Sequence, residues 1–167
     1  MDDFEFKCSK CDEVHKGVPG FGTRAPIYYF GIPEDEREAR VELTSDTCVI
    51  DGKEYFVRGC LELPVASASD PFVFGAWISL SESNFLRFLE LMDVEERENE
   101  PPMVGWLSSW FWQYEETERL VARILFRNNG TRPLIELKPI EHPLVIAQRD
   151  GLTRKEVIDI YEYYTFD

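Results

Sequence analysis

The sequence is poor in basic residues and in histidine. Its 18 lysine and arginine residues and two histidines stand against 32 aspartate and glutamate residues, for a net charge of −14. Nucleic acids and anionic membrane surfaces attract basic proteins, so this balance argues against both kinds of partner. It allows a basic protein partner, although acidic charge also serves to keep proteins soluble.

Long apolar runs and recognisable targeting segments are also missing. No stretch approaches the roughly 18 apolar residues that span a bilayer. The opening residues, MDDFEFK, lack the basic and apolar parts of a secretory signal. We therefore expect a cytoplasmic protein. In that reducing compartment, the four cysteines favour a metal site or free thiols over disulfides.

The signatures of several enzyme classes are absent. The sequence contains neither the G-x-S-x-G turn of many hydrolases nor the glycine patterns that bind nucleotide phosphates. It also lacks the H-E-x-x-H motif of metalloproteases and the H-x-E and P-C-x-x-C pair of zinc deaminases. We therefore predict no catalytic residues and no site for an organic cofactor.

The sequence does contain ample material for a core, since apolar residues make up 44% of its 167 residues. The length predicts one domain over residues 1–167, with a zinc-knuckle-like segment over 6–16 and an α+β body over 27–167. Predicted strands outnumber helices and do not alternate regularly with them. This arrangement is typical of an α+β fold, here with a mainly antiparallel sheet and two to four helices.

The clearest local feature is a β-hairpin over residues 47–65, whose two apolar runs flank Asp51 and Gly52. A two-residue Asp-Gly loop is typical of hairpins, because both residues tolerate positive φ. That loop places Cys48 opposite Tyr55. Alternation along the second strand directs one set of side chains towards the core: Tyr55, Val57, Leu61 and Leu63.

The remaining patterns predict further strands and three clear helices. Ser81 can cap a helix over about 82–93. Pro143 lies in the first turn of a short helix that ends at Gly151, and Thr153 and Glu156 form a capping box for a last helix. The further strands are predicted over residues 27–30, 72–80, 103–107, 118–127 and 133–137.

The strongest candidate site is the segment KCSKCDEVH, residues 7–15. Cys8 and Cys11 are spaced so that two thiolates can hold one metal ion, and His15 can add a neutral nitrogen. A structural zinc ion binds four such ligands, yet the sequence has no second C-x2-C pair. We favour Cys48 over Cys60 as the fourth ligand, because the hairpin places these two on opposite faces and Cys48 lies near the start of its strand.

Other interpretations of the cysteines stay open. Cys8 and Cys11 are also compatible with a redox pair or with unliganded thiols, although no βαβ unit accompanies them. For Cys60, the role of a small buried side chain is favoured. Four protein ligands make a zinc site structural, whereas an open position is typical of a catalytic one, and we expect the structural kind.

One histidine and a group of tryptophans are further candidates. His142 precedes a proline, and we expect it to cap a helix or to bond to the backbone rather than to act as a catalytic base. Trp106, Trp110 and Trp112 lie close together in sequence. We expect them to fill the core, although such density also suits a ligand pocket or a protein interface.

Five segments stand in a fixed order along the chain: CSKCDEVHKGVP, SDTCVIDGKEYFVRGCLELPV, FGAWISLSESNF, PPMVGWL and EHPLVIAQRDGLT. As a set they resemble a bacterial family catalogued as a domain of unknown function, over residues 6–165. The knuckle of that family usually reads C-x2-C-G-x2-H, and Asp12 stands here in place of the glycine. Aspartate tolerates turn geometry. The resemblance implies metal binding through Cys8, Cys11 and His15, and no reaction.

The sequence therefore predicts a cytoplasmic protein that holds a structural Zn²⁺ ion and acts as a non-enzymatic binding protein through an acidic or aromatic surface. One specific form is an immunity-type protein that neutralises a basic toxin, which the size and acidity permit. The competing class is a small zinc-dependent enzyme with an open metal position.

Overall fold

The computed structural model describes residues 4–118 and 120–166 of the chain. The elements follow one another as β1 (Glu5–Lys7), β2 (Val14–Lys16), β3 (Gly20–Gly22), α1 (Ile27–Phe30), α2 (Glu34–Arg40), β4 (Val41–Leu43), β5 (Thr47–Ile50), β6 (Glu54–Leu63), β7 (Phe72–Leu80), α3 (Glu82–Leu91), β8 (Met103–Leu107), β9 (Val121–Leu125), β10 (Leu134–Leu137), α4 (Pro143–Asp150) and α5 (Arg154–Phe166). β1 and β2 form a hairpin of their own, and the other eight strands form one sheet.

Five strands of this sheet, β6 to β10, close into a barrel. Each strand from β6 to β9 pairs antiparallel with the next, and β10 returns to pair in parallel with β6. Directions alternate around the ring, so the first and fifth strands run the same way and the closing pair has to be parallel. β3 also pairs in parallel with β7. The predicted α+β class is confirmed, but the sheet is not the simple, mainly antiparallel one that was predicted, since it is mixed and five of its strands close into a barrel.

Each of the two longest strands, β6 and β7, pairs with two different strands along one of its edges. The first half of β6 pairs with β5 and its second half with β10, while β7 pairs with β3 and then with β8. Gly59 lies where β10 approaches β6. A Cβ atom at Gly59 would lie 2.8 Å from Cγ1 of Ile135 and 3.0 Å from the carbonyl oxygen of Pro133. The missing side chain therefore allows the barrel to close.

The barrel interior holds the main hydrophobic core. As predicted, Val57, Leu61 and Leu63 of β6 point into it. Three helices add apolar side chains to the same core, such as Phe88 from α3, Leu144 from α4 and Ile160 from α5. The other strands contribute alternate residues: Phe72, Phe74, Ala76, Ile78, Met103, Leu107, Ala122, Ile124, Ile135 and Leu137.

A second apolar cluster covers part of the outer face of the same strands. It comprises Ile32, Cys48, Ile50, Phe56 and Trp77. Cys48 pairs with Phe56, not with the predicted Tyr55, because the loop after β5 has three residues (51–53) and Ile50 pairs with Glu54. Asp51 and Gly52 do have positive φ, at 54° and 65°. The one-residue shift turns Cys48 to the face of β6 that also carries Cys60, so their predicted separation is wrong.

Most helix signals are confirmed and one strand prediction is wrong. The Oγ atom of Ser81 accepts a hydrogen bond from the backbone N–H of Asn84, and Thr153 and Glu156 exchange both bonds of a capping box. Residues 27–30 form α1 and not the predicted strand. The prediction failed because four residues are too few for hydrophobic periodicity to distinguish a strand from a helix. The described part of the chain thus has five helices, against the predicted two to four.

A buried arginine fixes the acidic loop that follows α3. Arg97 is 4% exposed. Its guanidinium donates hydrogen bonds of 2.7, 3.1 and 2.8 Å to the carbonyl oxygens of Arg127, Leu91 and Thr131. The backbone N–H of Arg97 also donates to the side chain of Asn128. This loop therefore joins the end of α3 to the turn between β9 and β10.

We expect Arg97→Ala to lower the free energy of unfolding by about 3 kcal/mol, because buried carbonyl groups lose a charged donor. Urea denaturation measures this change. The matched control is Arg123→Ala, which removes an exposed ion pair of 2.7 Å with Glu136 and is expected to cost about 1 kcal/mol or less. Equal losses in the two variants would contradict the role of Arg97.

Candidate metal centre

The β1–β2 hairpin carries the candidate metal ligands on its tip and on β2. Phe6 pairs with His15 across the hairpin. At the tip, the N–H of Cys8 donates to the carbonyl of Glu13, and the N–H of Asp12 donates to the carbonyl of Cys8, both at 3.1 Å. Asp12 has a φ of 59°, in the left-handed region that favours glycine and that aspartate tolerates. This turn folds Cys8 and Cys11 back towards His15.

The three side chains come together as the spacing predicts. The ligand atoms of Cys8, Cys11 and His15 all lie within 4.8 Å of one another. Sγ of Cys11 lies 3.1 Å from Nε2 of His15. Tetrahedral zinc with bonds of about 2.3 Å to sulfur and 2.0 Å to nitrogen separates its ligand atoms by about 3.5–3.8 Å. The group therefore fits around one ion with small side-chain shifts.

The electrostatics of the group favour a thiolate at one of the two cysteines. Burial of the Cys8 thiol opposes ionisation, but hydrogen bonds from the backbone at Cys11 and Lys10 outweigh it and lower the pKa of Cys8. At Cys11, a backbone hydrogen bond from Glu13 favours the thiolate, but burial and the neighbouring Cys8 together raise the pKa. Metal binding requires both thiols to lose their protons, and a bound cation favours that loss.

Helix α5 packs against the hairpin from the far end of the sequence. The ring of His15 lies between Phe6 and Tyr161, with centroid distances of 5.3 and 4.8 Å. The hydroxyl of Tyr161 is 3.3 Å from Nε2 of His15. Ser9, between the two cysteines, donates from its N–H and its hydroxyl to the carboxylate of Glu162, at 3.1 and 2.6 Å. The group of Cys8, Cys11 and His15, called the metal group below, is therefore held in place by contacts between the first and the last described elements of the chain.

The structure does not bring Cys48 to this group. Cys48 is fully buried in the outer apolar cluster, where burial raises the pKa of its thiol to about 12. Cys60 is half-buried on the same face of the sheet. Across residues 4–118 and 120–166, no fourth cysteine, histidine, aspartate or glutamate joins Cys8, Cys11 and His15. The register shift in the β5–β6 hairpin removes the sequence argument for Cys48.

His142 has the structural role that was expected. Its Nδ1 atom accepts the backbone N–H of Leu144 at 3.0 Å, which caps α4. Its Nε2 atom lies 2.7 Å from the carbonyl oxygen of Glu115. Both ring nitrogens are therefore engaged with the backbone, which fastens the start of α4 to the loop before β9.

Two of the three clustered tryptophans do not fill the core. Trp106 is 53% exposed and Trp110 is 62% exposed, whereas Trp112 is partly buried. Trp110 lies at the rim of a cleft of about 800 Å³, beside Tyr28 of α1. Acidic side chains line the same cleft, among them Glu54, Glu116 and Glu118. We call this region, defined by Tyr28, Glu54, Trp110, Glu116 and Glu118, the acidic-aromatic cleft.

Sequence reasoning missed this cleft because its members come from three separate segments. Among the described residues that line the cleft, Glu118 accepts a 2.9 Å hydrogen bond from the indole N–H of Trp110, and Asp51 forms an ion pair with Arg40. Exposed aromatic rings beside carboxylates provide an apolar contact surface and negative charge together. The sequence feature that pointed to this region was the close spacing of Trp106, Trp110 and Trp112, which also suits a ligand pocket or a protein interface.

The chain is similar to one family of known sequences. A family model described as an uncharacterized protein conserved in bacteria, DUF2199, matches residues 7–152. That range takes in all three members of the metal group and ends before α5. No curated protein and no solved structure matches the chain. Across the described residues, no helix is both long enough and apolar enough to cross a membrane.

We expect the purified, untagged chain to contain about one zinc per molecule by elemental mass spectrometry, and Cys8→Ser and His15→Ala to lose it. Cys60→Ser is the matched control and keeps the metal. Acidification releases the ion, because protons compete for thiolates and imidazole as the pH falls. Zinc retained in both ligand variants would refute the assignment of this group.

Proposed function

The chain belongs to the DUF2199 family of uncharacterized proteins conserved in bacteria, and we propose that it is a cytoplasmic zinc-binding protein without catalytic activity that binds a basic protein partner. The observation that carries the metal assignment is the proximity of Cys8, Cys11 and His15, within 4.8 Å of one another. Two thiolates and an imidazole suit zinc better than they suit the oxygen-seeking ions Mg²⁺ and Ca²⁺. Four free cysteines agree with a reducing compartment.

The zinc ion has a structural role in this proposal. It holds the β1–β2 hairpin in the shape that presents His15 and Ser9 to α5. Those two residues contact Tyr161 and Glu162, so the ion indirectly stabilises the packing of α5. A structural site contributes its binding free energy directly to folding.

The acidic-aromatic cleft is the surface that we assign to the partner. Glu54 and Glu116 are exposed, and neither forms an ion pair with a described lysine or arginine. Arg40, which also lines the cleft, is paired with Asp51 and Glu36. Trp110 and Tyr28 supply rings on which arginine or lysine side chains can lie. The net charge of −14 attracts a basic protein over a longer range. An immunity-type protein that neutralises a basic toxin is the specific form that these features suit.

A small zinc-dependent enzyme is the second candidate, and the count of three ligands favours it. Catalytic zinc sites combine three protein ligands with a water molecule. Replacement of zinc by Co²⁺ distinguishes the two, because the visible spectrum of the cobalt form reports bound water. A spectrum that changes with pH and with added azide would support the enzyme. A spectrum insensitive to both supports the structural site.

We expect the immobilised protein to retain a basic protein from native bacterial lysate at low salt and to release it at high salt, because exposed charges are screened. The double variant Glu54→Gln/Glu116→Gln and the variant Trp110→Ala are expected to lose that protein, as identified by mass spectrometry.

The matched control is Glu42→Gln/Glu98→Gln, which removes the same charge from exposed residues outside the cleft and should keep the partner. If the wild-type protein retains nothing, or if both double variants lose the partner equally, the cleft is not its binding site. Zinc content is measured on the same samples, so a failure of the cleft is distinguishable from a failure of the metal site.

A further inference from the structure

A smaller cleft, unrelated to the two regions above, lies on the outer face of the sheet where β3 meets β6 and β7. Its volume is about 390 Å³, and its lining includes Gly22, Arg58, Cys60, Gly75 and Arg132. It shares no lining residue with the acidic-aromatic cleft. Two arginines therefore meet in one recess of a strongly acidic chain.

Glycines form the surface on which the guanidinium of Arg58 rests. A Cβ atom at Gly75 would lie 2.6 Å from one terminal guanidinium nitrogen of Arg58 and 3.0 Å from its Nε. A Cβ atom at Gly22 would lie 2.7 Å from the same terminal nitrogen. Any other residue at either position would displace the guanidinium. The backbone of β3 and β7 is thus shaped to accept this side chain.

Arg58 forms no ion pair within the described part of the chain, and Asp46, the carboxylate that acts on it electrostatically, is paired with Arg132. Seven other arginines there form ion pairs with carboxylates: Arg37, Arg40, Arg87, Arg123, Arg127, Arg132 and Arg149. The Nε atom of Arg58 is buried and has no hydrogen-bond partner among the described residues. A buried charged donor without an acceptor is costly. The terminal nitrogens of the same guanidinium also form no hydrogen bond with a described residue, and they are the atoms that an acceptor entering the cleft can reach.

Arg132 is the second cation of this cleft. Its Nε donates to Asp46 at 2.7 Å. A guanidinium has five N–H donors, so further donors of Arg132 stay available after this bond. Burial lowers the pKa of Arg58, and the positive charge of Arg132 lowers it further, against a smaller opposite effect of Asp46. Two guanidinium groups facing one carboxylate leave the cleft with a positive charge.

We propose that this cleft binds a phosphate-type oxyanion, either free inorganic phosphate or the phosphoryl group of a larger molecule. Guanidinium groups match the oxygen pairs of phosphate in planar, two-pronged hydrogen bonds. A phosphate group offers enough acceptors for Arg58 and for the remaining donors of Arg132, and its negative charge compensates the positive charge that Asp46 leaves in the cleft.

The test is titration of the zinc-loaded chain with inorganic phosphate and, in parallel, with phenyl phosphate, at constant ionic strength. Calorimetry measures the affinity, and ³¹P NMR confirms that the phosphorus nucleus is bound. Arg58→Gln and Arg132→Gln are each expected to weaken binding about tenfold or more, the equivalent of about one lost charge-assisted hydrogen bond. Arg123→Gln removes an exposed arginine outside the cleft and should leave the affinity unchanged.

The binding measurements on the wild type and on the variants either support or overturn the proposal. Saturable binding that both cleft variants weaken, and the control does not, supports it. Equal affinity for the two probes then indicates free phosphate, and tighter binding of phenyl phosphate indicates a phosphorylated ligand. Absence of saturable binding, or equal binding by wild type and Arg58→Gln, overturns it. If circular dichroism shows that Arg58→Gln is unfolded, Arg132→Gln and Arg58→Lys decide in the same way.

Discussion

The long antiparallel pairing of β6 with β7 is the contact on which the other elements depend. Nine residue pairs join these strands, from Tyr55 opposite Leu80 to Leu63 opposite Phe72. Since side chains alternate, one face of the pair supplies the barrel interior and the other carries Phe56, Trp77 and Arg58. Both strands are longer than any neighbour, so each leaves edge positions for two partners. The barrel, the outer cluster and the glycine-lined cleft all follow from this one ladder.

The metal group lies outside that ladder and is joined to it through α5. The hairpin of β1 and β2 belongs to a separate two-stranded sheet. It contacts α5 at Tyr161 and Glu162, and the same helix places Val157 and Ile160 in the main core. A metal ion at Cys8, Cys11 and His15 would therefore act on a hairpin that contacts α5 and whose Phe6 is buried in the main core.

The sequence predicts local elements of this protein well and their assembly poorly. The capping roles of Ser81, Thr153 and His142 depend on neighbours within a few residues, and the structure confirms all three. The proximity of Cys8, Cys11 and His15 is equally local. The extra residue in the loop after β5 shifted Cys48 to another face, because an Asp-Gly pair fits two-residue and three-residue loops alike. The parallel closure at β10, the burial of Arg97 and the meeting of Arg58 with Arg132 join distant segments, which no local pattern reveals.

The contacts between the hairpin and α5 impose an order on folding. Cys8 and His15 are close in sequence, so bringing them together closes only a short loop. Ser9 and Glu162, by contrast, are 153 residues apart, and closing so large a loop is entropically unfavourable until the intervening strands have formed. The turn that carries Cys8 and Cys11 is synthesised before α5, with all the barrel strands between them. The Ser9–Glu162 contact therefore forms only after most of those strands have paired.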